Sequence, residues 1–545
     1  MIPKRERMRT LLAVSPVVVI FLLMTRGRRP ADQAGAIGWI YTVLLAAFYF
    51  HTSWVVILLA SLAGLVASFP VSLMVASSIF QVSVMEEAGA IRRVVAFMKS
   101  LAGEDRVVQI MLINIGIGTL LAALGATPVS ILPPIMLSLG YTDLVSIALP
   151  AIGYDALCTY ALLGVPVVVF ADQVKGLTGQ EVAPAQVGMY FAQYMPLVTS
   201  LIALAMLWIV GGWREIRRGF GVAILTGVTA GAIAIAMNQA GLPTLTGVVA
   251  GAGVVLVLLL YLRLRGRPLI DRSRLTAADL GAEAAMGLPR SILPWLLLIV
   301  FSILTNVGAL GLYPILFSRL AMPLEIVPGR PERLRMLFHA YTWVLIATLI
   351  AIPAYRMGRE RLGAALAKTR RRAPRPVFAA AIFFAIAFVL NHSGKTPVVE
   401  DGRTVWAMNA LGGMNMVKVV ADACAAQFAT AYAGVAAFLG LLGGFISGSE
   451  ASSIAMLTKL HFETIRLVFA GASAERILAI SLLVAAVSGI GGGLASVVSP
   501  AKLQNAAAVI DRIGLEGKVI KSMAVIAVLM VLATVGLTFL FLARL

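Results

Sequence analysis

Residues 34–85 read AGAIGWIYTVLLAAFYFHTSWVVILLASLAGLVASFPVSLMVASSIFQVSVM and contain no Asp, Glu, Lys or Arg. A transmembrane helix needs about 20 predominantly apolar residues, so this stretch is long enough for two spans or more. Pro70 lies within it and is expected to break a helix. The stretch therefore predicts an integral membrane protein that crosses the bilayer repeatedly.

The composition of the whole chain favours the same class. Of the 545 residues, 60% are hydrophobic and only 13% are charged, about half the charged share of soluble domains. Lipid accommodates such an apolar exterior, and the length allows about 12 spans. The net charge of +19 is concentrated in short basic runs between apolar stretches, which is typical of cytoplasmic loops beside anionic lipid. We therefore expect a lipid bilayer and no nucleic acid as a partner.

The apolar runs fall on both sides of a polar connection. We predict an N-terminal transmembrane half at residues 1–262, a connecting loop at 263–290 and a C-terminal transmembrane half at 291–545. Several runs are rich in Gly, Ser and Pro, which free backbone groups that cannot face lipid. Paired interrupted segments of this kind indicate a transport site between repeated halves.

A weak internal repeat supports two related halves. The segment Gly125-Ala126-Thr127-Pro128-Val129-Ser130-Ile131 shares Gly, Ser and Ile at equal offsets with Gly448-Ser449-Glu450-Ala451-Ser452-Ser453-Ile454. We therefore predict an all-α fold of two related, inverted halves. Each half is expected to contribute broken helices or re-entrant hairpins that meet at mid-membrane.

The sequence contains none of the common enzyme signatures. There is no Walker loop, HExxH motif, paired cysteine motif or Ser/His/Asp order, and Gly489–Gly493 lies inside an apolar span. Cys158 and Cys424 are expected to be buried thiols. We therefore predict no enzyme activity, no metal and no cofactor, with a proton or sodium gradient as the energy source.

The richest polar segment is Ser447-Gly448-Ser449-Glu450-Ala451-Ser452-Ser453. Amides at a helix N-terminus attract anions, and hydroxyl groups suit a carboxylate. We predict that Ser447, Gly448, Ser449, Ser452 and Ser453 bind substrate, and that Glu450 carries the coupling proton. The alternative is a plain helix cap at the membrane surface, with Glu450 in the first turn.

Further candidates lie in other interrupted segments. Asp155 is an acid within an apolar stretch, which indicates function unless it lies in a loop. Four more candidate substrate ligands are Thr127, Asn391, Ser393 and Ser499, although Asn391 and Ser393 also fit a simple helix C-terminus. Lys502 either attracts an anion or extends to the lipid headgroups.

The second half of the chain resembles the bacterial lactate/glycolate permease family. The Ser447–Ser453 segment is similar to the family's T-G-S-D-T-S-S-N-like motif, and Asn391-His392-Ser393-Gly394 is similar to its N-Y-S-G. The first half departs from the family because Leu120–Pro128 lacks the acid of the E-G-A-A-G-F-G-A-P-like motif. Asp155, where the family has an uncharged polar residue, is interpreted as a relocated acid.

This resemblance implies a secondary active transporter in the plasma (inner) membrane. It implies that lactate or a related 2-hydroxy monocarboxylate crosses the membrane by proton symport. Three alternatives stay open at this point. One is a sodium-coupled transporter of another organic anion such as a dicarboxylate. The second is a channel, and the third is a membrane enzyme or a scaffold that does not transport. The oligomeric state is not determined by the sequence.

Overall fold

A computed structural model of the protein describes residues 4–27, 29–101, 105–273, 275–307, 310–512 and 514–545. It is 79% helical, as the predicted all-α membrane fold requires. The helices up to the polar connection are α1 Lys4–Thr25, α2 Ala31–Phe48, α3 Trp54–Ala67, α4 Phe69–Glu87, α5 Ala90–Ser100, α6 Arg106–Ile110, α7 Gly118–Ala123, α8 Pro128–Ser138, α9 Asp143–Tyr154, α10 Ala161–Thr178, α11 Pro184–Ala192, α12 Met195–Gln239 and α13 Thr246–Leu264.

The remaining helices and the short irregular elements complete the chain. The helices are α14 Ala277–Ala285, α15 Leu288–Ser291, α16 Leu293–Asn306, α17 Leu312–Pro314, α18 Ala340–Ala354, α19 Arg359–Arg372, α20 Pro374–His392, α21 Met416–Phe428, α22 Tyr432–Ser447, α23 Glu450–Val468, α24 Ala474–Leu494, α25 Pro500–Ala508 and α26 Glu516–Leu542. The strands are β1 Met322–Val327, β2 Arg330–Leu334, β3 Lys395–Glu400 and β4 Arg403–Met408. Short π-helical turns are Met111–Ile117 and Ile315–Arg319, and 3₁₀ turns are Asp155–Tyr160, Pro243–Leu245, Ala429–Ala431 and Ser496–Val498.

Within these described residues, 11 helices are long and apolar enough to cross a membrane, and four shorter apolar helices accompany them. Burial separates central helices from peripheral ones. In the most apolar window of Asp143–Thr178 and of Ala474–Ala508, 83% of the residues are buried, against 22% for Arg5–Thr25 and 28% for Glu516–Leu542. The interrupted helices therefore lie inside the bundle, where protein rather than lipid surrounds their freed backbone groups.

Both Gly/Ser/Pro-rich segments interrupt helices in the same way. Gly125 and Gly448 adopt left-handed conformations, with φ of 86° and 67°, and a new helix starts within three residues of each. Further along, the 3₁₀ turn Asp155–Tyr160 separates α9 from α10, and Ser496–Val498 separates α24 from α25. The same order of elements thus occurs on both sides of the polar connection, while the boundaries at 262 and 290 stay predictions.

The start of α10 is an unusually irregular piece of backbone. Leu162 and Leu163 have φ of 54° and 56°, and Gly164 follows with φ of 72°. A left-handed conformation costs a non-glycine residue about 1–2 kcal/mol. Such strain persists only where surrounding contacts impose it, and it concentrates at functional segments.

Two β-hairpins, β1–β2 and β3–β4, were not expected from the sequence. In the second hairpin Glu400 pairs with Arg403, so Asp401 and Gly402 form a two-residue turn with φ of 50° and 74°. Asp-Gly is the preferred pair for such a turn, and it was a recognisable signal. The strands have five or six residues each and lie in two separate segments of the predicted C-terminal half.

The polar connection also contains structure. Helix α14 begins with a capping box in which Thr276 and Asp279 satisfy each other's backbone amides. The Lys99 ammonium on α5 contacts the Asp279 carboxylate at 3.0 Å. The connection is therefore fixed to the N-terminal part of the chain rather than hanging free.

Candidate functional site

The Ser447–Ser453 segment forms the tip between α22 and α23. Helix α22 ends at Ser447, Gly448 reverses the chain, and the Ser449 hydroxyl accepts a hydrogen bond from the Ser452 amide at 3.3 Å. Ser449 is thus a helix cap, as the alternative interpretation proposed. The tip does not lie at an exposed surface, because Glu450 in the first turn of α23 is only 3% exposed.

The Glu450 carboxylate faces the 3₁₀ turn that breaks the first interrupted helix. The Thr159 hydroxyl donates a hydrogen bond of 2.6 Å to Glu450 Oε1, and Glu450 Oε2 has no hydrogen-bond partner among the residues that the structure describes. A methyl group at Gly493 on α24 would lie 2.7 Å from that second oxygen. The absence of a side chain at Gly493 therefore leaves the room that the carboxylate occupies.

Asp155 lies in the same 3₁₀ turn as Thr159. Its side chain is 4% exposed, and neither carboxylate oxygen has a well-aligned hydrogen-bond partner among the described residues. The charges of Lys502 and Glu450 act on the Asp155 carboxylate, and the Ser496 side chain lies close to it. Of the two predicted acids, one therefore comes from each interrupted region, and the fold brings them together.

Lys502 supplies a positive charge to this cluster. Its ammonium lies 3.9 Å from the centre of the Tyr154 ring and donates a hydrogen bond to the Ser496 hydroxyl. No carboxylate in the described part of the chain lies within 4.0 Å of it, although both Asp155 and Glu450 feel its charge. The sequence left open whether Lys502 attracts an anion or extends to the lipid headgroups, because Tyr154, Asp155 and Glu450 are distant from it in the chain.

The remaining serine candidates divide into two groups. Ser452 and Ser499 are fully buried, and their hydroxyl oxygens have no hydrogen-bond partner in the part of the chain that the structure describes. The Ser453 hydroxyl donates to the Gly440 carbonyl at 3.2 Å, and the Ser447 hydroxyl donates to the Gly443 carbonyl at 2.8 Å. Ser452 and Ser499 thus keep free hydrogen-bonding capacity, whereas Ser447 and Ser453 use theirs within the hairpin.

Thr127 caps the other tip, between α7 and α8. It is exposed, and its hydroxyl pairs with that of Ser130 at 2.9 Å. Asn505 on α25 donates to the same Ser130 hydroxyl at 2.8 Å. Asn505 is three residues beyond Lys502, so the first tip reaches the cluster through α25 and does not touch Glu450 in the described contacts.

Asn391 and Ser393 lie at a different place. The Ser393 hydroxyl accepts from the Met416 amide at 2.7 Å, which fixes the start of α21. Asn391 lines a cavity of about 540 Å³, and its backbone carbonyl accepts a hydrogen bond from Lys459. These two candidates are therefore not part of the Glu450 cluster.

Several residues of the cluster carried no sequence signal of their own. Thr159, Tyr154 and Ser496 are common residue types, and Cys158 was predicted only as a buried thiol. The sequence gives no reason to place them beside Glu450. Gly493 belongs to a glycine-rich run that was recognised only as part of a span. Within the residues that the structure describes, no three His, Cys, Asp or Glu side chains cluster as metal ligands.

Buried interruptions in paired helices, with two acids and a lysine where they meet, define a polytopic membrane protein with a polar site inside its bundle. The L-lactate permease family model matches residues 9–545, so the chain belongs to that family. It is a multi-pass protein of the plasma membrane.

Three named relatives are similar in sequence to this chain along most of their length. The L-lactate permease of Streptococcus iniae is 24% identical over 83% of this chain and 90% of the relative. The glycolate permease GlcA of Escherichia coli K12 is 22% identical, covering 94% and 91%, and the L-lactate permease of the same organism is 23% identical, covering 93% and 91%. No solved structure matches the chain significantly.

Proposed function

We propose that this protein carries lactate or a related 2-hydroxy monocarboxylate, such as glycolate, across the plasma membrane together with a proton. Family membership and the names of the relatives support the substrate class. The observation that carries the mechanism is the cluster of buried Glu450 and Asp155 with half-buried Lys502 at the meeting point of the interrupted helices.

The charges of this cluster favour coupling to a cation. Two carboxylates face one ammonium group, so the cluster already has one acid more than it has base. An isolated buried charge costs several kcal/mol even after relaxation. A substrate carboxylate adds a second uncompensated negative charge, so its entry is favourable only if a proton neutralises one of the acids.

Individual residues can be given roles on this basis. The Lys502 ammonium, which has no carboxylate within ion-pair distance among the described residues, attracts the substrate carboxylate. The unpartnered hydroxyls of Ser452 and Ser499 supply hydrogen bonds. Glu450 takes up the proton on its free oxygen, while Thr159 holds the other oxygen in place.

Transport then requires that this site face each side of the membrane in turn. The glycine reversals at Gly125 and Gly448 and the two 3₁₀ turns are points where the backbone is not tied into a continuous helical ladder. These points allow the tips to move relative to the smooth outer helices without breaking lipid-exposed hydrogen bonds.

The test is uptake of labelled L-lactate into proteoliposomes under an imposed proton or sodium gradient. Glu450→Gln should abolish proton-driven accumulation but preserve exchange of internal for external lactate, because the glutamine resembles a permanently protonated acid. Glu475→Gln is the matched control, since Glu475 also lies in the first turn of a helix but is exposed.

Proton-driven accumulation by Glu450→Gln equal to that of the control would contradict the assigned role. Accumulation driven by sodium alone would favour the sodium-coupled alternative. Competition by glycolate, malate and succinate identifies the substrate class, and strong competition by the dicarboxylates alone would contradict a monocarboxylate carrier.

A further inference from the structure

The cavity of about 540 Å³ lies away from the Glu450 cluster. It is bounded by the end of α10, the β1–β2 hairpin, α20 and α23, and exposed hairpin residues Gly329 and Arg330 form part of its lining. Its volume falls in the range of small-molecule sites. It is also large enough for a three-carbon acid to enter with water around it.

The lining of this cavity is electropositive. Five cationic side chains face two acidic ones. Arg335 uses its charge on Asp172, with contacts of 2.9 and 3.1 Å to the two carboxylate oxygens. Arg330 and Lys459 form no ion pair within 4.0 Å with any carboxylate in the described ranges. A pocket with surplus positive charge concentrates small anions.

Lys459 is the less exposed member of this pair of cations and is half-buried. It lies on α23, and its ammonium donates a hydrogen bond to the backbone carbonyl of Asn391. Nearby charges are mostly of the same sign, since Lys395 and Arg330 act against it and Glu463 acts in its favour. An ammonium group has three donors, so it retains donors for an anion after the bond to Asn391.

Two unsatisfied polar atoms lie beside Lys459. Asn391 Oδ1 and His392 Nδ1 are buried and have no hydrogen-bond partner within the described ranges, and their residues are 7% and 6% exposed. Both residues line the cavity. Buried polar atoms in native proteins usually have a hydrogen-bond partner, so unpartnered atoms that line a cavity indicate a ligand-binding surface. The Asn391 amide oxygen can accept a hydrogen bond from the hydroxyl group of a 2-hydroxy acid.

We propose that this cavity is an entry site for the transported anion, in which Lys459 binds the carboxylate and Asn391 receives the neighbouring hydroxyl group. The inference rests on the proposed function, because the ligand is the same small carboxylate. Lys459 follows Glu450 by nine residues on α23, which corresponds to about 13 Å along the helix axis. The anion is thus bound on the same helix as the coupling acid Glu450.

The test compares the KM and maximal rate of labelled lactate uptake by reconstituted variants. Lys459→Gln should raise KM about tenfold and leave the maximal rate within about twofold, since it weakens capture and not the coupled step. Lys459→Arg keeps the charge and should restore most of the affinity. Lys418→Gln is the matched control, because Lys418 is an exposed lysine that pairs with Asp422 four residues on.

A purely structural role for Lys459, holding the end of α20, predicts lower thermal stability of Lys459→Gln with unchanged KM, and that result would overturn the proposal. If Lys459→Gln does not fold, Arg330→Gln tests the same idea from an exposed hairpin position and should raise KM about threefold, an effect that added salt should diminish. An unchanged KM in Arg330→Gln would then refute it.

Failure of the two proposals can be told apart. Absence of lactate and glycolate uptake by the unmodified protein contradicts the proposed function and the entry site together. Proton-coupled uptake whose KM is the same in Lys459→Gln and in the unmodified protein contradicts the entry site alone.

Discussion

Replacing Gly493 by alanine tests whether the position of the Glu450 carboxylate governs transport. The added methyl group would lie 2.7 Å from Glu450 Oε2 and 3.4 Å from Cys158 Cβ. Real Cβ contacts below 3.0 Å essentially never occur. Gly493 lies within a regular helix, so its backbone accepts alanine and the strain falls on the Glu450 carboxylate.

The carboxylate must move by a few tenths of an ångström, and the bond most exposed to this movement is the 2.6 Å hydrogen bond from Thr159. Losing a hydrogen bond to a charged group costs about 1.5–3 kcal/mol. Since about 1.4 kcal/mol corresponds to a factor of ten, proton-driven uptake should fall about tenfold to a hundredfold. The assay is the initial rate of uptake per unit of reconstituted protein, with thermal stability measured in parallel.

Gly536→Ala is the matched control, because a methyl group at Gly536 on α26 would meet nothing within 4 Å. The double variant with Thr159→Val makes the test specific. If Gly493→Ala acts through the Thr159 bond, it should add little once that hydroxyl is gone, so the two effects should not sum. Full activity of Gly493→Ala, or an undiminished loss in the Thr159→Val background, would refute this reasoning.

Two further predictions concern charges at the cluster and at the cavity. Lys502→Met should abolish lactate uptake and lower the free energy of unfolding by about 1–3 kcal/mol, because the buried carboxylates of Asp155 and Glu450 then lack a nearby cation. Adding Asp155→Asn should restore thermal stability but not uptake. A single variant as stable as the unmodified protein would contradict this prediction. Burial and the nearby Asp172 raise the pKa of Glu332 on β2 to about 7 despite Arg335. Because the folded protein holds this proton more tightly than the unfolded chain, the free energy of unfolding should fall as pH rises from about 4.5 through 7. Glu332→Gln should remove this pH dependence of thermal stability. Parallel plots of thermal stability against pH for the two proteins would contradict the prediction.

The relation between Asp155 and the resemblance to the permease family follows from the fold. The first half lacks the acid that the family pattern carries near Leu120–Pro128, and Asp155 was interpreted as its replacement. Asp155 lies in the 3₁₀ turn that also carries Thr159, the hydrogen-bond partner of Glu450. A shared role of the two acids in coupling stays a prediction, and the Lys502 and Asp155 variants address it.

The two interrupted tips are not equivalent in their contacts. The second tip presents a buried acid, whereas the first presents an exposed Thr127 that reaches α25 through Ser130 and Asn505. The first tip therefore contributes hydrogen bonds and the second contributes charge.

The sequence by itself determined the membrane class, because long uncharged runs such as residues 34–85 can be stable only in lipid or in a buried core. It also identified the interrupted segments, since Gly125 with the prolines that follow it, and Gly448 with the serines beside it, favour a break in a lipid-facing helix. The resemblance to the permease family came from the motifs at Ser447–Ser453 and Asn391–Gly394. These signals are local, so they could be read from neighbouring residues alone.

The tertiary structure decided which of these residues meet. Glu450 and Thr159 are far apart in the chain and share a hydrogen bond of 2.6 Å. Asn391, which looked equally suitable, lines a separate cavity, and the Ser393 hydroxyl accepts a hydrogen bond at the start of α21. The tertiary structure also shows that Lys459 and Lys502 have no carboxylate within ion-pair distance among the described residues. The physical reason is that burial and charge pairing depend on contacts between distant segments, and a single sequence carries no record of those contacts.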